Sequence, residues 1–122
     1  MKPTLEQLRA QDAWNKAEEG ISRFGKDYVN AAKGLPALIM NSGLMQVLAY
    51  CHDKNGANEL LASHLRQWLS RHFNGVDTDP GFKVMMEALM KASPAEYQAI
   101  TTEAFAWLRW MRQMAAAKKG AE

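Results

Sequence analysis

Three histidines, one cysteine and a scatter of acids are the groups through which this 122-residue chain could perform chemistry. Cys51 and His52 are adjacent, so on a helix their side chains diverge by about 100°. His64 and His72 stand about 12 Å apart along a helix axis, too far to share one ion. Asp77 and Asp79 flank Thr78 without the remaining ligands of a calcium loop. Glu96 and Glu103 lie on one side of a predicted helix, but surface carboxylates need a pocket before they do acid–base work. Glu96 is already explained as a helix cap. His72, on the apolar side of its helix, is expected to be buried with its ring nitrogens satisfied. Nucleophile elbow, glycine-rich phosphate loop and HExxH pair are all missing from the sequence. The expectation is therefore no catalytic residue, no metal and no cofactor.

A different chemistry is suggested by TTEAFAWLRWMRQMAAA, residues 101–117. At about 100° per residue, Tyr97, Ile100, Ala104, Trp107, Leu108, Met111 and Met114 share one broad face, the predicted core stripe. Arg109 points nearly opposite. Phe105 and Arg112 fall on the same far side, and Trp110 sits at the stripe's boundary. A ring beside two guanidinium groups suits base stacking or phosphate binding. It suits a protein–protein contact equally well. Further cations extend the pattern. Residues 104–119 hold Arg109, Arg112, Lys118 and Lys119 with no acid, and residues 20–34 hold Arg23, Lys26 and Lys33 against Asp27. The net charge of +2 and pI near 8.8 make the chain only mildly basic, less than strong autonomous nucleic-acid binders carry.

The elements that must position these residues all read as helix. Thr4 and Gln7 form a capping box. From there Ala10, Trp14, Ala17, Ile21, Phe24, Tyr28 and Ala31 make one apolar stripe on a long first helix. Gly20 and Gly25 predict a kink or break, and Gly34 with Pro36 predicts its end. A second helix spans about 36–53, with Met40, Leu44, Val47, Leu48 and Cys51 central and Leu38, Ile39, Met45 and Tyr50 on its flanks. A third, about 57–73, buries Leu61, Leu65, Trp68 and Leu69. A short fourth begins at Asp79–Pro80 with Phe82, Met85, Met86 and Leu89 inward. Ser93, Pro94 and Glu96 start a fifth that runs to about Lys118.

These readings predict an all-α fold: a single compact bundle of about five helices, with long N-terminal and C-terminal helices, forming one domain over 1–122. With 48% hydrophobic residues the chain can build a core. One cysteine permits no internal disulfide and suits a cytoplasmic protein. The start, MKPTLEQLRAQD, lacks the apolar run of a secretion signal. Leu35 to His52 carries no formal charge, but Pro36, Asn41, Ser42, Gln46 and His52 argue against a membrane span and for a buried or subunit-facing helix.

Two blocks, GLPALIMNSGLMQVLAY (34–50) and EYQAITTEAFAWLRWMRQMAAA (96–117), together resemble the small all-helical subunit of type III-B CRISPR effectors, the Cmr complexes. Leu35, Pro36, Leu38, Ile39, Gly43 and Leu44 carry the first likeness. Tyr97, Thr102, Glu103, Ala104, Leu108, Trp110, Arg112 and Ala115 carry the second, with Gln7, Ala10 and Ala13 compatible at the N-terminus. Gln113 departs from the consecutive basic residues that the family often shows here. The resemblance implies a non-catalytic subunit that stacks with copies of itself beside the backbone subunits holding the CRISPR RNA, and helps accommodate target RNA. It assigns target-RNA cutting to those backbone subunits, and DNA cleavage and cyclic-oligoadenylate synthesis to the large subunit. In this chain Arg109 and Arg112, then Lys118 and Lys119, then Arg23, Lys26 and Lys33 are the expected phosphate contacts. Phe105, Ile39 and Tyr50 are the expected partner contacts. The alternative is a helical adaptor that binds only protein.

Overall fold

Thr4 and Gln7 cap the first helix reciprocally: the Thr4 hydroxyl accepts from the Gln7 N–H at 3.1 Å, and the Gln7 amide oxygen from the Thr4 N–H at 2.7 Å. This opens α1 (Leu5–Phe24) in a computed structural model that describes residues 1–120. There follow α2 (Lys26–Ser42), α3 (Leu44–Lys54), α4 (Gly56–Asn74), α5 (Phe82–Lys91) and α6 (Pro94–Gly120). The all-α expectation holds, with six helices among the described residues where about five were expected. Positions 121 and 122 of the expected 1–122 domain lie outside the described residues.

The extra helix comes from where the chain breaks. Gly25 (φ 54°) ends α1, and α2 then runs through both Gly34 and Pro36, the predicted stop. The second predicted helix is cut at Gly43 (φ 86°), whose N–H closes the last turn of α2 on the Ile39 carbonyl at 2.7 Å. Both breaks use a backbone conformation that only glycine adopts without strain. An interior proline costs a helix about 3 kcal/mol. Here Leu35 and Ile39 flank Pro36 and are both buried, and each such burial is worth about 1.5–3 kcal/mol, so packing carries the helix past the proline. At the other end, Ser93 and Glu96 form the expected capping box of α6. Asp79 does not start α5 directly: its carboxylate accepts from the Gly81 N–H at 2.8 Å, and α5 begins at Phe82.

Cross-helix contacts fix the directions. Arg9–Glu103, Asp12–Trp107 and Glu18–Lys118 rise together, so α1 and α6 run parallel. Tyr28, near the start of α2, meets Met111, and Met45, just past the Gly43 end of α2, meets Tyr97, so α2 is antiparallel to α6. Glu19–His64 and Asp12–Arg71 set α4 antiparallel to α1. Between them lie Tyr28, Leu35, Leu48, Leu65, Trp68, Trp107, Leu108 and Met111, all sealed from solvent.

The core stripe of α6 faces inward as expected, and most of the other two stripes does too: Ala17, Ile21 and Tyr28, and Leu44, Val47, Leu48 and Cys51, are buried, while Trp14 and Met40 are not. Ala13 and Ala17 are buried while Trp14 is 42% exposed. The close parallel approach of α1 to α6 uses small side chains and turns the indole off the seam. Ile39, expected on an outward flank and assigned to a partner, is 3% exposed and part of the core, whereas Met40 is 77% exposed. The break at Gly43 accounts for that exchange: Met40 and Leu44 lie on separate helices, so the expected spacing does not carry across it.

Candidate nucleic-acid interface

The outward face of α6 is aimed by what its inward face grips. Glu103, read from the sequence as a surface carboxylate, is buried. Arg9 clasps it through Nε and Nη2, each at 2.7 Å, and the Trp68 indole N–H donates to it at 3.0 Å. Burial alone would raise its pKa, but these donors outweigh that and hold it below the usual glutamate value. Asp12, one turn along α1, is buried in the same way: it accepts from Lys16 at 2.7 Å and from the Trp107 indole N–H at 2.8 Å. Two carboxylates and two tryptophans thus fix the rotation of α6 against α1 and α4.

A third polar cluster joins α1, α2 and α4. His64 is buried, with Nδ1 2.7 Å from the Tyr28 hydroxyl and Nε2 2.7 Å from Glu19. Burial depresses its pKa, and Glu19 only partly opposes this. In the neutral ring that results, Nε2–H donates to Glu19 and Nδ1 accepts from Tyr28. So His64, not His72, is the buried histidine; His72 is exposed at the end of α4. Arg66, also buried, bridges Glu59 (2.9 Å) and Asp79 (2.9 Å), tying the loop before α5 to α4.

Arg109 and Arg112 project from α6 into solvent, as the helical wheel predicts, and neither pairs with a carboxylate among the described residues. Phe105 does not stand free beside them. It is half-buried and packed against the core, as is Trp110. Lys118 is engaged within the chain, paired with Glu18 at 2.9 Å and lying over the Trp14 ring at 3.9 Å. Lys119 beside it is half-buried. Arg23 reaches Glu19 at 3.5 Å in an exposed pair, and Lys26 and Lys33 are exposed on α2. Arg23 and Lys26 straddle the Gly25 corner. Tyr50 is 46% exposed on α3, available to a partner where Ile39 is not.

The remaining reactive groups are dispersed. Cys51 is buried, and its thiol is pushed up to about 11 by desolvation. His52 stacks on Phe82 with centroids 4.3 Å apart and faces Glu59. No three histidine, cysteine or acidic side chains converge on a point among the described residues, and no described helix is long and apolar enough to cross a membrane. A cleft of about 400 Å³ opens where α5 and α6 diverge, lined mainly by apolar groups such as Phe73, Leu89 and Ile100.

Known proteins share this arrangement. The family model described as CRISPR-associated protein (Cas_Cmr5) matches residues 5–118. The CRISPR system Cmr subunit Cmr5 of Thermus thermophilus is 28% identical over 116 residues, covering 93% of this chain and 95% of that one. The X-ray structure of a CRISPR-associated Cmr5 family protein, also from Thermus thermophilus, superposes with a TM-score of 0.75 at 28% identity, over 95% of this chain and 97% of the other. A family match that reaches all six helices, together with the shared fold, places the chain in the Cmr5 family, the small helical subunits of type III-B Cmr complexes.

Proposed function

We propose that this chain is a non-catalytic scaffold subunit of a cytoplasmic, RNA-guided antiviral effector. It stacks with further copies of itself beside the backbone and large subunits and helps hold target RNA against the CRISPR RNA. Arg109 and Arg112 make the leading phosphate contacts, with Lys118, Lys119, Arg23, Lys26 and Lys33 contributing around them. The observation that supports this most is the contrast within one helix. Inward-facing Glu103 and Trp107 of α6 are bonded into the fold, while its two arginines are left in solvent with no acid among the described residues to neutralise them. Phosphate contacts of this kind position a strand without reading its bases. A modest charge per copy suffices where several copies act along one strand.

The test is the double substitution Arg109→Glu/Arg112→Glu in the assembled complex. Target retention is expected to weaken and its dependence on salt to flatten, by about one unit of slope for each phosphate that a copy no longer neutralises. The isolated variant should unfold at the wild-type denaturant midpoint. Unchanged retention across a salt series would refute the assignment. The adaptor reading has its own support in Tyr50 and Met40, large apolar groups exposed near the α2–α3 corner. A photo-crosslinker at residue 109 separates the two: RNA adducts support the first, protein adducts alone the second.

A further inference from the structure

Trp14 is the tryptophan that the core leaves in water. Trp68 and Trp107 are sealed at 2% and 0% exposure, and Trp110 is half-buried against the core. An exposed tryptophan is informative because its large apolar surface is normally covered. This one is also held in place. Lys118, from the far end of α6, sets its ammonium 3.9 Å from the Trp14 ring centroid, donates to the Trp14 carbonyl at 3.3 Å and pairs with Glu18 at 2.9 Å. Ring and cation come from different helices, α1 and α6, and are brought together by the Asp12–Trp107 and Arg9–Glu103 locks beneath them.

We propose that Trp14 and Lys118 form a stacking site for one nucleotide of single-stranded RNA, the base lying on the exposed part of the indole and the phosphate drawing Lys118 from Glu18. This rests on the reading that the chain lies along target RNA, and adds base stacking to the phosphate contacts. Charge favours RNA over a protein occupant. From Ala104 to Lys119, α6 carries cations and no acid, and among the described residues the acid paired with Lys118 is Glu18, which is 72% exposed. Lys118 itself is 17% exposed, but its acid is largely solvated, so the pair gives up little when a phosphate takes the carboxylate's place. Every base has a π-face, so the site would grip any sequence, as a subunit shared by all guides requires.

The test uses the assembled effector and a target RNA carrying 5-bromouridine. Irradiation should give adducts on the α1 peptide containing Trp14. Trp14→Leu should remove those adducts and weaken target retention roughly 5- to 150-fold, the range that stacking one base spans. Trp14→Phe, which keeps a ring, should restore most of the retention. Isolated Trp14→Leu should unfold only slightly before wild type, since the residue is 42% exposed and leucine keeps an apolar side chain for the covered part. If Trp14→Leu retains target normally while Arg109→Glu/Arg112→Glu does not, the stacking site is wrong and the phosphate reading stands. If neither variant affects retention, the RNA reading itself fails. If Trp14→Leu instead loses a protein subunit on purification, Trp14 is a protein contact and the proposal is overturned.

Discussion

Replacing Glu103 by alanine tests whether a buried carboxylate, and not the apolar stripe alone, locks α6 in its orientation. Three donor bonds converge on this side chain: two from Arg9 at 2.7 Å each and one from the Trp68 indole at 3.0 Å. The Arg9 side chain is 20% exposed, so its guanidinium regains water once Glu103 is gone, and its charge-assisted bonds count near the low end of their range, about 1.5 kcal/mol. Trp68 is 2% exposed, so leaving its N–H unmet costs about 1–3 kcal/mol. Releasing the desolvation cost of the Glu103 charge offsets part of the sum. The net expectation is a loss of about 2–4 kcal/mol, a large share of the roughly 5–15 kcal/mol that stabilises a typical domain. Glu103→Gln keeps the volume and an acceptor for Trp68, so it should lose only about 1–2 kcal/mol.

Urea unfolding of the isolated chain, followed by circular dichroism, reads these losses as midpoint shifts at constant m. A double-mutant cycle with Arg9→Ala should return a coupling of about 1 kcal/mol or more. The acid limb gives an independent reading. Glu103 titrates below its unfolded value of 4.5, so its stabilisation is complete above that pH and is lost as pH falls through the folded value. The stability slope below pH 4.5 should therefore be shallower in Glu103→Gln. A Glu103→Ala protein within about 1 kcal/mol of wild type, or a glutamine variant as weak as the alanine one, would refute the argument.

His64 should give the chain a second pH dependence. Its folded pKa lies below the unfolded 6.5, so its stabilisation is complete above about 6.5 and declines as pH falls further. Urea midpoints measured from about pH 7.5 to 5.5 should drop in wild type and stay flatter in His64→Phe. Gly20→Ala should destabilise by about 1–3 kcal/mol despite alanine's better helix propensity, because the added methyl would meet the Tyr28 ring at 2.5 Å; calorimetry checks this, and a raised Tm would refute it. Cys51, buried and with its thiol pushed up to about 11, should resist alkylation at about pH 8 in the native state and react at once in urea. Fast native labelling would show that the α3–α4 packing opens readily.

Those elements whose ends are made by local chemistry were legible. The Thr4–Gln7 and Ser93–Glu96 boxes start α1 and α6 where expected because each cap is complete within four residues. The α6 stripe was legible because its apolar residues are large and regularly spaced. The α1 stripe was legible in part: Ala17 and Ile21 are buried as expected, but Ala13 takes the place given to Trp14, because alanine carries almost no periodic signal against a nearby tryptophan. Gly34 and Pro36 misled for the opposite reason. They are local stop signals overridden by the burial of Leu35 and Ile39, a contribution from helices distant in sequence.

The site was legible in the same uneven way. Arg109 and Arg112 could be placed outside from the wheel alone, since a helix with a wide apolar face leaves its opposite side to solvent. The pairing of charges could not. Lys118 and Arg23 look like Arg109 in sequence, yet Glu18 and Glu19 partly neutralise them. Glu103 looked like a surface acid, although it stands one turn before Trp107 on the core side, a position where a carboxylate must find cations. Arg9 supplies one from 94 residues away. The physical order is thus the reverse of the sequence order: distant pairs such as Arg9–Glu103 and Asp12–Trp107 set the rotation of α6, and that rotation decides which cations a partner can meet. A substitution that broke both locks would turn Arg109 and Arg112 without touching them, and target retention would fall along with stability. Reversing the two arginines themselves should lower retention alone, and that difference separates the contact from the frame that aims it.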